Sequence, residues 1–177
     1  PNALTSRAVT TEAGVAKGVL HRHFADFDAF LAGLVEDRIG RIGNQAAALC
    51  HSAGTGTVAG NLTRALTDLF GPVAVAIVGL ITFRDDLRAR LRQARPAGVP
   101  VLTEATAMIA SYLTTERELG RIAADADVDT LALMLIGTGH LLFAGRAGTP
   151  PGAGAVGKVV ATVIAGAVPG PPGRADG

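Results

Sequence analysis

The sequence feature that most constrains the fold is a run of apolar residues between Asp26 and Leu49 that recurs every three or four positions. On a helix, residues at this spacing share one face, so the run predicts one long amphipathic helix from about Asp26 to about Leu49. Asp28 stands close to the predicted start, where its charge is favourable against the helix dipole. The apolar members of the run are Phe27, Phe30, Leu31, Leu34, Val35, Ile39 and Ile42.

The rest of the chain repeats helical patterns between loops rich in glycine, serine and threonine, such as Ser52 to Gly60. The run from Val73 to Ile81 is wholly apolar and could be a buried strand, but no partner strand is visible, so we interpret it as a buried helix. The sequence therefore predicts an all-α fold. Further helices are predicted from Thr5 to Ala13, from near Ala16, over 62–70, around Leu87 and Leu91, and over 101–119, 130–144 and 153–168.

Composition and charge exclude several classes of protein. Of the 177 residues, 49% are hydrophobic, which allows a buried core and is not typical of a disordered chain. The net charge of +1 excludes a uniformly basic surface but leaves room for a local basic patch. Cys50 is the single cysteine, so no intramolecular disulfide is expected. The longest apolar run, Leu131 to Phe143, is too short to span a bilayer, so we expect no membrane partner and a cytoplasmic location.

Residues 4–24 predict two short helices around a sharp turn. Thr5 is a suitable N-cap for the first helix, and Gly14 supplies the left-handed residue that ends it. Val9, Val15 and Leu20 are placed to hold the two helices together. The second helix would then present its exposed residues to a DNA major groove.

These two helices contain the string Ala13-Gly14-Val15-Ala16-Lys17-Gly18-Val19-Leu20-His21-Arg22-His23-Phe24, with Thr5 and Val9 before it and Asp28 and Phe30 after it. This string resembles the DNA-binding signature of the TetR family of transcriptional regulators. The resemblance implies a helix-turn-helix domain over 1–44, a helical ligand-binding and dimerisation domain over 45–168, and a disordered tail over 169–177. In that family a further helix precedes Thr5. The chain begins at Pro1 without Met, and we expect that an N-terminal segment has been omitted from this sequence.

The resemblance assigns DNA contacts to individual residues. It places Thr5, Lys17, His21 and His23 beside phosphates, Gly18 at a close approach, and Val19 and Arg22 near base edges. The two short helices, residues 5–24, would form a DNA-binding head. Phe24 is expected to pack inward and to hold this head against the long helix. Three positions depart from the family: Ala16 replaces a Ser or Thr that would cap the helix, Val19 replaces Thr, and Phe27 replaces Lys, which puts one backbone contact in doubt.

The resemblance also implies that the last two helices, 130–144 and 153–168, form a homodimer interface. Both are apolar around more of their surface than one core contact requires, although burial within a monomer is the alternative. The implied partners are double-stranded operator DNA, a second copy of the chain and a small apolar effector, and the implied activity is ligand-controlled repression. Candidate ligand contacts, each with plain core packing as the alternative, are Phe70, Phe83, Met108, Tyr112, Met134, His140 and Phe143.

Other functions find little support in the sequence. No catalytic constellation is visible and no histidines pair at ligand spacing, so we expect no enzyme activity, no metal and no other cofactor. Gly152 to Lys158 resembles a phosphate-binding loop, but Val159 stands where a Ser or Thr would hold magnesium. Two alternatives remain open: a helical interaction protein of the same fold that has lost DNA binding, and a small-molecule carrier or enzyme that uses the apolar body without binding DNA, although the lack of catalytic residues disfavours an enzyme.

Overall fold

The computed structural model describes residues 4–16, 18–144 and 151–169. These residues contain helices and no strand, which confirms the predicted all-α class, and the ambiguous run from Val73 to Ile81 lies inside a helix. The helices are α1 (Ser6–Glu12), α2 (Gly18–His23), α3 (Phe27–His51), α4 (Val58–Leu69), α5 (Pro72–Phe83), α6 (Asp85–Ala94), α7 (Leu102–Glu118), α8 (Val128–Ala144) and α9 (Ala153–Ile164).

The long helix α3 runs through the molecule and confirms the amphipathic prediction. It begins after Asp26, whose side chain accepts a hydrogen bond from the backbone N–H of Ala29 at 2.6 Å. This contact satisfies one of the amide groups that a helix start leaves without a partner. The face that α3 buries carries Leu31, Val35, Ile42 and Leu49.

The core lies between α3, α4, α7, α8 and α9. Helix α7 packs against α3 and α8, and α9 packs against α4 and α8. Each fully buried aliphatic side chain contributes about 1.5–3 kcal/mol relative to an exposed one, so this apolar contact is the main source of stability. The residues with the most complete burial include Leu62, Leu66, Ile109, Leu113, Leu135 and Val160.

Several helix ends differ from the prediction because local side chains cap them. The loop predicted over Ser52 to Gly60 is shorter, since the Thr57 hydroxyl accepts from the Gly60 N–H at 3.0 Å and α4 begins at Val58. Helix α8 begins at Val128, and the carboxylate of Asp127 accepts from the Thr130 N–H at 3.0 Å. Helix α9 ends at Ile164 rather than at residue 168, because the chain turns there and the Ala167 carbonyl accepts from the Ala123 N–H at 2.7 Å.

The connection between α8 and α9 is only partly described. Residues 145–150 lie outside the described residues, and Gly152 stands directly before α9. The segment that resembles a phosphate-binding loop is therefore a helix start, as the sequence indicated. Residues 170–177 of the predicted tail also lie outside the described residues.

By length and composition, no single helix in the described ranges qualifies to cross a membrane. Helices α4 and α5 qualify only when taken together, and they are bent by 62° at the break between them.

Candidate functional site

The first two helices form the sharp turn that the sequence predicts. The Thr5 hydroxyl oxygen accepts from the Ala8 N–H at 3.2 Å and caps α1. Gly14 has φ 65°, in the left-handed region where a Cβ is unfavourable, and the Val15 N–H donates to the Thr10 carbonyl at 3.0 Å to close the turn. The turn fixes the direction in which α2 leaves α1.

The packing between these helices differs from the prediction at one residue. Leu20 of α2 is buried, and so is Thr10 of α1, whose hydroxyl donates to the Ser6 carbonyl at 3.0 Å. Val9 is half-buried, but Val15 is 44% exposed. The expectation that Val15 locks the two helices together is therefore wrong, because it lies on the outside of the turn where no described element covers it.

Helix α2 directs one residue inward and the others outward. Leu20 is buried, whereas the side chains of His21, Arg22 and His23 are exposed and Val19 is half-buried. A Cβ added at Gly18 would meet no atom within 4 Å, so this end of the helix is open to a close approach. Of the predicted DNA contacts, Gly18, His21, Arg22 and His23 are therefore exposed and Val19 is partly exposed, whereas Lys17 lies outside the described residues.

Phe24 connects this head to α3 through an aromatic cluster. Its ring packs edge-on against Phe30 with centroids 5.3 Å apart, and Phe30 stacks on Phe27 at 5.8 Å. A Cβ added at Gly33 would lie 3.3 Å from the Phe24 ring, so the glycine admits the ring close to the helix. The inward packing of Phe24 agrees with the sequence expectation. Phe27 joins the cluster, and the guanidinium of Arg84 lies 5.4 Å from its ring centroid.

Arginines of α6 and its flanks pair with acidic residues of α3, a feature that sequence reasoning missed. Arg84 donates to Asp28 through Nε at 3.1 Å and Nη2 at 2.9 Å. Arg90 pairs with Asp26 at 2.7 Å. Helix α6 exposes most of its polar side chains, and Arg84 and Arg90 attach it to the beginning of α3. The sequence did contain a signal for this contact, because the arginine-rich segment and the acidic start of the long helix carry opposite charges.

A third ion pair joins Arg95 to Glu36 at 2.9 Å. The hydrogen bond from Arg95 lowers the pKa of Glu36. The pKa of Asp26 is also lowered, first by the Ala29 amide that it caps and further by Arg90. Both carboxylates are therefore stabilised in their charged form, which keeps α6 attached to α3 at neutral pH.

The seven predicted ligand residues do not form one group. Phe70 lies near His140 and Phe143, with ring centroids 6.1 Å and 5.6 Å apart. A Cβ added at Gly139 would lie 2.7 Å from the Phe70 ring, so these side chains pack closely at the α8 surface. Met108 is buried on α7. Phe83 and Met134 do not join an internal site, because they are 70% and 47% exposed.

Tyr112 belongs to a buried polar network rather than to an open pocket. Its hydroxyl donates to Glu116 at 2.5 Å and accepts from the Asn61 side chain at 3.1 Å. Glu116 is fully buried and pairs with Arg121 at 3.3 Å. Burial, and then the hydrogen bond to Glu116, raise the pKa of Tyr112. The network ties the turn between α3 and α4 to the end of α7, because Asn61 also donates to the Thr55 carbonyl at 3.0 Å.

Two of the cavities in the described part of the body lie beside α3 to α6 and could admit a small molecule. One, of about 120 Å³, lies between α3 and α4 and is lined by Gln45, Leu49, Asn61, Arg64 and Asp68 among others. The other, of about 380 Å³, lies between the end of α5, α6 and residues 96–100. Within the described ranges, no three His, Cys, Asp or Glu side chains come together as a metal site would require.

No protein-family model and no curated protein matches this chain. Two solved structures do match. One is described as a TetR-family transcriptional regulator from Mesorhizobium loti, with 16% identity, a TM-score of 0.66, and coverage of 95% of this chain and 88% of that one. The chain has the TetR fold.

The second match agrees with this fold. It is a gamma-butyrolactone receptor, an ArpA-like protein, with 23% identity, a TM-score of 0.52, and coverage of 92% of this chain and 85% of that one. The resemblance seen in the sequence is thus confirmed at the level of the fold.

Proposed function

We propose that this chain is a DNA-binding transcriptional regulator of the TetR type that acts as a homodimer and responds to a small molecule. The observation that carries the proposal is the head itself: two short helices turn at Gly14, bury Leu20 and expose the polar side of α2. An exposed second helix of this kind suits the width of the DNA major groove.

The charge of the head supports a nucleic-acid partner. Residues 4–24 contain three basic residues, Arg7, Lys17 and Arg22, and one acidic residue, Glu12. Arg7 and Arg22 make no ion pair within the described part of the chain, so their charges are available to phosphates or bases. The chain as a whole carries +1, and the positive charge is therefore local, as expected of a small DNA-binding head.

The proposed contacts follow the exposed residues of the head. Thr5 uses its oxygen to cap α1, which leaves the hydroxyl hydrogen free to donate to a phosphate. Lys17, His21 and His23 serve as further phosphate contacts. Gly18 permits a close approach, and Val19 and Arg22 lie near base edges, where an arginine can bind guanine with two hydrogen bonds.

A stripe on α8 supports the homodimer. Leu133, Gly137 and Leu141 follow one another at four-residue spacing, and the two leucines are 63% and 71% exposed. Gly137 between them has open space at its Cβ position, so a second helix can approach closely. Pairing α8 and α9 with their copies would bury this stripe and give the two heads the two-fold symmetry of an operator.

Regulation by a small molecule is supported by the cavities of the body and by the structural match to a gamma-butyrolactone receptor. Of the candidate ligand residues, Phe70, Met108, Tyr112, His140 and Phe143 lie in or beside the core. A ligand that binds one arrangement of the body better than another would change the spacing of the heads and hence the affinity for the operator.

A gel-shift experiment tests the proposal. The full-length gene product is titrated against a labelled fragment from upstream of its own gene, with a shuffled fragment of equal composition as control. We expect a retarded complex with the upstream fragment that survives an excess of the shuffled fragment. If the protein binds neither fragment, the regulator proposal fails and a helical interaction or small-molecule-binding protein of the same fold becomes the better interpretation.

A further inference from the structure

We propose that the cavity between α5, α6 and residues 96–100 binds an amphipathic carboxylate, and that this molecule is the effector. The effector role rests on the function proposed above, whereas binding itself does not. The cavity volume of about 380 Å³ lies in the range of small-molecule sites, roughly 300–1,000 Å³. Several of its lining residues, among them Thr82, Arg92 and Val99, are exposed, so a ligand can reach the cavity from solvent.

The floor of this cavity is apolar. Ile81 at the end of α5, Leu91 of α6 and Pro100 are buried beneath it, and Val99 stands at its edge. Such a surface favours an aliphatic chain, since removing apolar area from water contributes roughly 25 cal/mol per Å².

The charged residues that line the cavity are both positive, and one of them, Arg88, is paired with Asp85 beside the cavity. Arg88 and Arg92 are the charged residues that line the cavity, and they lie one turn apart on the same face of α6. Arg92 has no ion pair within the described residues. The guanidinium of Arg92 beside an apolar floor favours a molecule with an anionic head and an apolar tail.

Arg88 has one hydrogen-bond donor without an acceptor. Its Nη1 donates to the Thr82 carbonyl at 2.8 Å and its Nη2 pairs with Asp85, but its Nε is buried and has no partner in the described part of the protein. A buried donor without an acceptor is costly, so a movement of the Arg88 side chain that brings Nε to a ligand carboxylate would be favourable.

The wall formed by residues 96–101 is held in an unusual backbone conformation. Gly98 has φ 75° and Val101, a β-branched residue, has φ 76°. Such a value is rare for valine and persists only where the surroundings impose it, often at ligand-binding segments. Here the Val101 N–H donates to Glu104 at 2.7 Å, and Glu104 pairs with Arg95 at 3.1 Å. The wall is therefore in place before a ligand arrives, which lowers the entropic cost of binding.

The same helix that carries the two rim arginines is attached to α3. Arg84 directly precedes α6 and pairs with Asp28, and Arg90 within it pairs with Asp26. Asp26 caps α3 three residues after the end of α2. A ligand that draws Arg88 and Arg92 toward its carboxylate acts on a helix whose other ion pairs hold the base of the DNA-binding head, and this connection gives the cavity its effector role.

Direct titration of the full chain without DNA tests binding. Octanoate and decanoate, below their micellar concentrations, are compared by isothermal titration calorimetry with octanamide, which has the same tail and no charge. We expect saturable binding of one carboxylate per chain, weaker binding as NaCl is raised, and a Kd for the amide at least about tenfold higher. Absence of saturable carboxylate binding, or equal affinity for the amide, overturns the proposal.

Variants locate the site. Arg92→Gln should raise the Kd for octanoate roughly tenfold and leave that for octanamide unchanged. Val99→Asp places a negative charge at the cavity edge and should abolish octanoate binding, whereas Val99→Asn should not. The matched control is Arg64→Gln, which removes an arginine from the smaller cavity between α3 and α4. Loss of binding in Arg64→Gln but not in Arg92→Gln would assign the ligand to the smaller cavity and refute this one.

The effector role is measured separately, by operator affinity with and without octanoate. A change in affinity that Arg92→Gln abolishes supports the role. Octanoate binding with unchanged operator affinity refutes the effector role and leaves the regulator proposal intact, whereas failure of the unliganded protein to bind DNA refutes the regulator proposal and leaves the site intact.

Discussion

Among the single residues of this protein, Phe27 illustrates how a change of residue type is accommodated by its surroundings. The resemblance to the TetR signature suggested a lysine there and hence a DNA contact. Phe27 instead stacks on Phe30 and receives the guanidinium of Arg84 on its ring. Because the ring contacts Phe30 of α3 and Arg84 at the start of α6, Phe27 helps to hold α6 against α3 and adds no charge for a DNA contact.

Lys17 and Val19 are expected to affect DNA binding in different ways. Lys17→Ala should weaken binding to all sequences and lower the slope of log K against log salt by about 1, since one phosphate contact is lost. Val19→Thr should change the preferred base pair with little effect on that slope. Gel shifts at several NaCl concentrations, with operator and shuffled DNA, measure both. An unchanged slope in Lys17→Ala would argue against its phosphate role.

Replacing Gly14 and Gly18 with alanine is expected to change the stability of the folded protein in opposite directions. Gly14 has φ 65°, so Gly14→Ala should destabilise the folded state by about 1–2 kcal/mol. Gly18 is helical with open space around it, so Gly18→Ala should stabilise it by up to about 1 kcal/mol. Urea unfolding followed by circular dichroism compares the two variants. Equal stability of both would show that the turn does not require a left-handed residue.

At the scale of elements, the contact between α6 and α3 depends on charge. The pKa values of Asp26 and Glu36 are lowered from 3.8 and 4.5 in the folded protein. A carboxylate whose pKa falls on folding adds stability that is present above its unfolded pKa and is lost as the pH drops through its folded pKa. The ion pairs should therefore be intact at neutral pH and weaken as the pH falls below about 4.5.

A double variant tests this pH dependence. In Asp26→Asn with Glu36→Gln, asparagine still caps α3 but neither side chain titrates. We expect the free energy of unfolding to decrease less between about pH 6 and about pH 3.5 than in the unaltered protein. The control is Asp37→Asn, which removes an exposed carboxylate whose ion pair with Arg41 lies within α3 itself. An identical decrease in the double variant and the unaltered protein would contradict the assignment.

The elements differ in how well the sequence predicts them. Long helices such as α3 and α7 follow from apolar periodicity, because one-sided burial leaves a clear pattern. Helices α4 and α8 begin earlier than predicted, at Val58 and Val128. Their caps, Thr57 and Asp127, act locally and leave no periodic pattern in the sequence.

Contacts between distant segments could not be obtained from one sequence. The pairs Arg84–Asp28 and Arg95–Glu36 join residues far apart in the chain, and periodicity does not indicate which arginine meets which carboxylate. For the same reason the seven ligand candidates, chosen by residue type, divide between core, network and surface, with Tyr112 in the network and Phe83 on the surface.

At the scale of the whole molecule, the exposed stripe on α8 predicts the oligomeric state. Leu133→Glu with Leu141→Glu should convert the proposed dimer to a monomer, since two charges would have to be buried in the interface. Size-exclusion chromatography with light scattering measures the mass. Leu119→Glu, which alters a leucine of similar exposure outside α8 and α9, is the control and should remain dimeric. A dimer that survives the double substitution would place the interface elsewhere.

The length of α3 has a mechanical consequence. With 25 residues it measures about 37 Å, with the aromatic cluster of the head at one end and the Tyr112–Glu116 network near the other. If α3 tilted by about 5° about the end near this network, its other end and the head would move by about 3 Å. That distance is roughly the length of one hydrogen bond to a phosphate. A rearrangement too small to disturb the packing of the core would therefore be enough to detach the head from DNA.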